Sequence, residues 1–198
     1  PVSKIHTQGK WYCEFINIDA PHRIILLGQE GMSWGSGNST NPNCFYYHFS
    51  GSIQGGIIPG IDNFGKQVNK GDILGVALDI EEGIISYFVN GEYQNSISNL
   101  YSIFSKQFFL AGGGSSSSIT STITANFGAT EFDIVTSNPE EWNRLKSEGY
   151  LPYDFDSAKT TWWGADIENV NISKTNIWHT DKNNINLSCF ISHSDNED

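Results

Sequence analysis

The residues whose types and spacing come nearest to chemistry are the carboxylates around Asp79. The run Ala77-Leu78-Asp79-Ile80-Glu81 approaches the Glu-x-Asp-x-Glu spacing with which a strand presents paired acids to a sugar. Two carboxyl groups are the minimum for retaining glycoside hydrolysis. Here the first acid is replaced by Ala77, which has no nucleophilic or basic atom, and Asp79 with Glu81 also fits a strand end running into a turn. Metal chemistry lacks a ligand set, because the five His and three Cys are scattered without Cys-x-x-Cys or paired-His spacing. Asp181-Lys182-Asn183 opens like a calcium loop but lacks the Gly and terminal Glu. There is no Gly-x-Ser-x-Gly elbow, and the Gly/Ser run 112–118 lacks the Lys of a phosphate loop. These absences lead to the expectation of a non-enzymatic protein with no cofactor and no metal.

The stretch that organises the chain is Gly71 to Glu92. Leu74, Val76, Leu78 and Ile80 alternate with Ile73, Gly75, Ala77 and Asp79, the period-two pattern of a strand with one wholly apolar face. Glu81-Glu82-Gly83 turns the chain into a second apolar run, Ile84 to Val89. Asn90-Gly91 then supplies a tight reversal, since both residues tolerate positive φ. Three adjacent strands follow, although Glu92 to Ser105 otherwise reads as a connection.

Gly71-Asp72, Leu78-Asp79, Gly83 and Asn90-Gly91 together are similar to the central motif of the SPRY domain family. Gly9-Lys10-Trp11-Tyr12-Cys13-Glu14-Phe15 resembles the family's opening strand, and Ala125-Asn126-Phe127-Gly128 its closing strand. The resemblance spans residues 9 to 135. It implies a concanavalin-like, jelly-roll-like fold: an all-β, two-sheet antiparallel β-sandwich that binds partners and catalyses nothing. Residues 1–136 are expected to form the sandwich and 137–198 a C-terminal extension. Within the extension, Asn138-Pro139-Glu140-Glu141 supplies a cap and a first turn, which predicts one helix over 139–148 with Trp142 and Leu145 facing the sandwich. Asn176 to Cys189 resembles a lead-in strand that precedes the opening strand in SPRY units of phage and viral proteins, although here it stands at the wrong end of the chain. Either the tail folds back to supply that strand or it begins a further unit.

Other strands are expected at Lys10–Ile18, His22–Gly28, Cys44–Ser50, Gln107–Ala111 and Ile119–Phe127. On the first, Lys10, Tyr12, Glu14 and Ile16 are expected to face outward; on the last, Asn126 lies on a polar side facing water or a partner. The loop Gly31 to Asn43 sets Trp34 and Asn38 among Gly, Ser and Pro, a composition suited to recognition on a rigid scaffold. Trp34 also fits a residue that folds back to cap the core. The candidate partner-binding surface is Trp34, Asn38, Tyr46, Tyr47 and Tyr93, with core packing as the alternative for the tyrosines.

Composition limits the partners. A net charge of −11, from 22 acids against 11 bases, leaves a duplex-binding surface, which needs clustered Lys and Arg to displace counterions, little to work with, so no nucleic-acid partner is expected. No apolar run is long enough for a membrane helix. Three widely spaced cysteines argue against a disulfide framework and favour a reducing compartment, so an intracellular or virion location is expected. The expected partner is a protein, either an exposed peptide loop or a neighbouring subunit. The alternatives are a self-associating virion or assembly component and a glycan-binding module.

Overall fold

The computed structural model describes residues 6–16, 23–28, 44–55, 58–102, 109–112 and 123–154. Its strands are β1 (Lys10–Ile16), β2 (Arg23–Gly28), β3 (Cys44–His48), β4 (Ile53–Gln54), β5 (Leu74–Asp79), β6 (Ile84–Val89), β7 (Glu92–Ile97), β8 (Phe109–Gly112), β9 (Thr124–Asn126) and β10 (Leu151–Pro152). Two helices, α1 (Ile134–Ser137) and α2 (Pro139–Ser147), lie between β9 and β10.

The strands form two sheets. One has the order β10-β1-β5-β6-β7, with β9 also pairing on β1; the other has the order β4-β3-β2-β8. All pairs are antiparallel except β10 with β1, which is parallel, so the first sheet is mixed where an antiparallel one was expected. Between the sheets, Cys13, Phe15, Phe45, Tyr47, Leu74, Val76, Leu78, Ile85, Tyr87 and Val89 are buried together as the main core. Leu74, Val76 and Leu78 are the apolar face expected of β5, and burying each such side chain contributes some 1.5–3 kcal/mol.

Asn90 (φ 50) and Gly91 (φ 75) make the expected reversal, and β7 follows it at once, so the segment from Glu92 begins as a strand and not as a connection. The expected helix is α2. Asn138 Oδ1 accepts the Glu141 N–H at 3.3 Å, Pro139 opens the first turn, and Trp142 and Leu145 are buried.

The larger departure concerns the outer face of the first sheet. Tyr12, Ala77 and Phe88 on that face pack against Phe132, Ile134, Trp142, Leu145 and Tyr150. Tyr12 and Glu14, expected to face outward, are 1 % and 2 % exposed. The helices and the run into β10 thus form a third layer with a core of its own. β10 then returns Tyr153 to the main core, where its N–H donates to the Tyr12 carbonyl at 2.8 Å. The segment 176–189 lies outside the described residues.

Candidate functional site

The end of the sandwich that carries the Asn90–Gly91 turn is built from side chains that satisfy backbone groups. Asn90 Oδ1 accepts the Ile73 N–H at 2.8 Å, and its Nδ2 donates to Asp72 Oδ1 at 2.9 Å. Asp72 also accepts the Asn69 N–H at 2.7 Å. Partial burial works against the Asp72 carboxylate, but the hydrogen bonds from Asn90 and Asn69 prevail and hold its pKa below the usual range. Asn138, the cap of α2, donates from Nδ2 to the Gly91 carbonyl at 3.0 Å, which ties the helical layer to the same turn.

Beside this frame sits Glu14, a buried carboxylate on β1. Its Oε1 accepts the Tyr12 hydroxyl at 3.1 Å and the Ile134 N–H at 3.0 Å, and its Oε2 accepts the Asp133 N–H at 2.7 Å. Burial raises its pKa to about 7 against the opposing effect of these three donors. Gly75 lies opposite Glu14 on β5, and a Cβ there would meet the Tyr12 hydroxyl, so only glycine leaves Tyr12 room to reach the carboxylate. Asn126 completes the seam. It is 5 % exposed, its Oδ1 accepts the Gly128 N–H, and its Nδ2 donates to the Thr130 carbonyl, so it folds the chain that leads into α1 and does not face a partner. Above Glu14 opens a cleft of about 420 Å³ between the ends of β1 and β5 and the chain 130–136.

The expected contact residues separate. Tyr93 is 47 % exposed on the edge strand β7, with its ring edge-on to Phe88 and its hydroxyl 2.7 Å from Ser96 Oγ. Tyr46 and Tyr47 are interior: Tyr46 donates to Gln54 Oε1 at 3.1 Å, and Tyr47 donates to the Lys66 carbonyl at 2.6 Å from within the core. The reading of β3 as half-exposed is corrected, because both of its faces are covered from Cys44 to Tyr47. Trp34 and Asn38 lie outside the described residues. Sequence reading missed Glu14, Asn126 and Asp133 as a group, since nothing local to any of them signals the other two.

Asp79, the nearest approach to a catalytic acid, is occupied. Its Oδ1 accepts the N–H groups of Glu81 and Glu82 at 3.0 Å each, and its Oδ2 pairs with Lys10 Nζ at 2.9 Å. Among the described residues no group of three His, Cys, Asp or Glu is placed to hold a metal ion, and no helix is long and apolar enough to cross a membrane.

The chain is similar to the SPRY domain of human HERC1, with 15 % identity and a TM-score of 0.54, over 63 % of this chain and 78 % of that one. The fold is the SPRY sandwich. In all, 162 solved chains match, and a shared fold by itself selects no partner. No family profile matches the sequence. No curated protein matches it either.

Proposed function

We propose that this SPRY-type sandwich is a non-enzymatic interaction module that recognises a protein partner through the end bearing the Asn90–Gly91 turn. The observation that carries the reading is Tyr93, a large aromatic ring held half-exposed on a rigid strand by Phe88 and Ser96. A braced tyrosine offers contact area at little entropic cost, as binding anchors do. The engagement of Asp79 in a turn and an ion pair supports the non-enzymatic part. Trp34 and Asn38 are kept as further candidate contacts of the partner; Tyr46 and Tyr47, being interior, are not offered to it.

The test is selection of a random peptide library on the immobilised protein, repeated with Tyr93→Ala. The expected result is a peptide consensus whose affinity falls about tenfold or more in the variant, a loss of about 1.4 kcal/mol or more. Thermal stability should change by less than about 0.5 kcal/mol, as for most surface substitutions. An unselective library, or a consensus indifferent to Tyr93, contradicts the proposal.

A further inference from the structure

Asn90-Gly91, the one Asn-Gly pair in the sequence, has a reaction of its own apart from its use as a turn. When glycine follows asparagine, no side chain shields the backbone nitrogen between them. After losing its proton to a solvent base, that nitrogen can attack the asparagine Cγ, close a five-membered succinimide and expel the side-chain nitrogen as ammonia. Water then opens the ring at either carbonyl and leaves aspartate or isoaspartate. One water is consumed and one ammonia released, so the conversion needs no other reactant.

Asn90 is exposed, so water and base reach it, yet the fold opposes ring closure. Both ends of its carboxamide are engaged: Oδ1 accepts the Ile73 N–H at 2.8 Å, and Nδ2 donates to Asp72 Oδ1 at 2.9 Å. Asp72 is itself fixed, because its Oδ2 accepts the Asn69 N–H at 2.7 Å and Asn69 Nδ2 at 3.3 Å. The Asn90 N–H donates to the Ile73 carbonyl at 2.9 Å, which ties the main chain to the same strand entry. With φ 50, Asn90 is left-handed, a conformation in which Cβ stands away from the following nitrogen. Closure therefore needs rotation of the backbone as well as release of the carboxamide. Gly91 resists that rotation: it is buried, its carbonyl accepts Asn138 Nδ2 at 3.0 Å, and a Cβ on it would meet Ser137 Oγ.

We propose that Asn90 is a deamidation site held shut by Asp72, converted to aspartate or isoaspartate only when that carboxylate releases the Asn90 amide. Asp72 is the controlling member, because a hydrogen bond to a charged acceptor is stronger than one between neutral groups. Conversion damages the turn in which it occurs. Aspartate at position 90 sets a second carboxylate where Asp72 now has a donor. Isoaspartate adds a carbon to the main chain of the two-residue turn that sets the register of β6 on β7. Either product loosens the entry to β7, and the site does not depend on Tyr93 being a partner contact.

The test incubates the full chain in mildly alkaline buffer and follows Asn90 by peptide mapping and mass spectrometry, with electron-based fragmentation to tell isoaspartate from aspartate. A synthetic peptide of residues 87–94 gives the rate without the fold. The parent is expected to convert about a hundredfold more slowly than the peptide. Asp72→Ala should convert about tenfold faster than the parent, the worth of one charged hydrogen bond. If the alanine variant does not fold, Asp72→Asn, which keeps the shape and removes the charge, carries the same comparison with a smaller rise. Gly75→Ala, which weakens the sheet without touching the clamp, should leave the rate at the parent's. Asn90→Asp, the aspartate product made directly, should unfold at a lower urea concentration than the parent. A parent as fast as the peptide, an Asp72 variant no faster than the parent, or an equal rise in Gly75→Ala overturns the gate. An unshifted urea midpoint in Asn90→Asp overturns the loosening of the turn.

Discussion

The two faces of the β1-β5-β6 sheet are both buried, but by different means. The inner face meets the second sheet through side chains such as Val76, Leu78 and Tyr87, and its packing is almost wholly apolar. The outer face meets the helical layer through Tyr12, Ala77 and Phe88 and includes Glu14 and Asn126, each with its polar atoms matched to backbone groups. An apolar face needs only a complementary surface of about the right volume. A face with a buried carboxylate needs one particular segment in one particular place, or the charge is left unpaired at a cost of several kcal/mol. The inner face therefore supplies bulk stability, and the outer face fixes where residues 130–154 dock.

The strongest way to break this comparison is Trp142→Ala. Loss of a fully buried indole from the outer core is expected to cost about 3–5 kcal/mol, as much as truncating a large residue of the inner core. Thermal unfolding followed by circular dichroism should show one transition at lower temperature. Two separate transitions would mean that the helical layer is a detachable accessory.

Glu14→Gln sharpens the comparison through pH. Burial raises the folded-state pKa from 4.5 to about 7, so the folded protein holds this proton more tightly than the unfolded chain. Glu14's contribution is then fully present below about pH 4.5 and is lost as pH rises through about 7, some 3 kcal/mol at most. The glutamine variant should lack that component, so that its advantage over the parent grows between pH 5 and pH 8 in urea melts. An unchanged slope would place Glu14 in contact with water.

Gly75→Ala acts on the same seam more gently. The added methyl displaces the Tyr12 hydroxyl from Glu14, with an expected loss of about 1–3 kcal/mol. Restoring space with Tyr12→Phe in the Gly75→Ala background should recover part of it. The smallest effect belongs to Asn138→Ala, about 1 kcal/mol for the lost cap of α2, read as a shift in denaturation midpoint.

Much of this architecture was legible in the residues. Alternation placed the inner face of β5, Asn90-Gly91 placed the hairpin, and Asn138-Pro139 placed α2, because each signal is local and rests on backbone preference or period. The outer face was misread for a physical reason. Lys10, Tyr12 and Glu14 alternate with apolar residues just as a solvated strand face does, and only the return of a segment 119 residues later turns Glu14 into an interior group. Of the candidate contacts, Tyr93 follows a hairpin turn onto an edge strand and stays half-exposed. Tyr46 and Tyr47 lie on a strand whose two faces are both covered, a fact that no pattern within β3 contains.

The measurement that bears most directly on the account is native-state hydrogen exchange of the Ile134 amide, which donates to the buried Glu14 carboxylate. If the outer face is a second core continuous with the first, Ile134 should exchange only through global unfolding, with the same free energy as the amides of Val76 and Leu78. An exchange free energy several kcal/mol lower at Ile134, insensitive to denaturant, would show that the helical layer opens by itself and would contradict the claim that Glu14 fixes it to the sandwich.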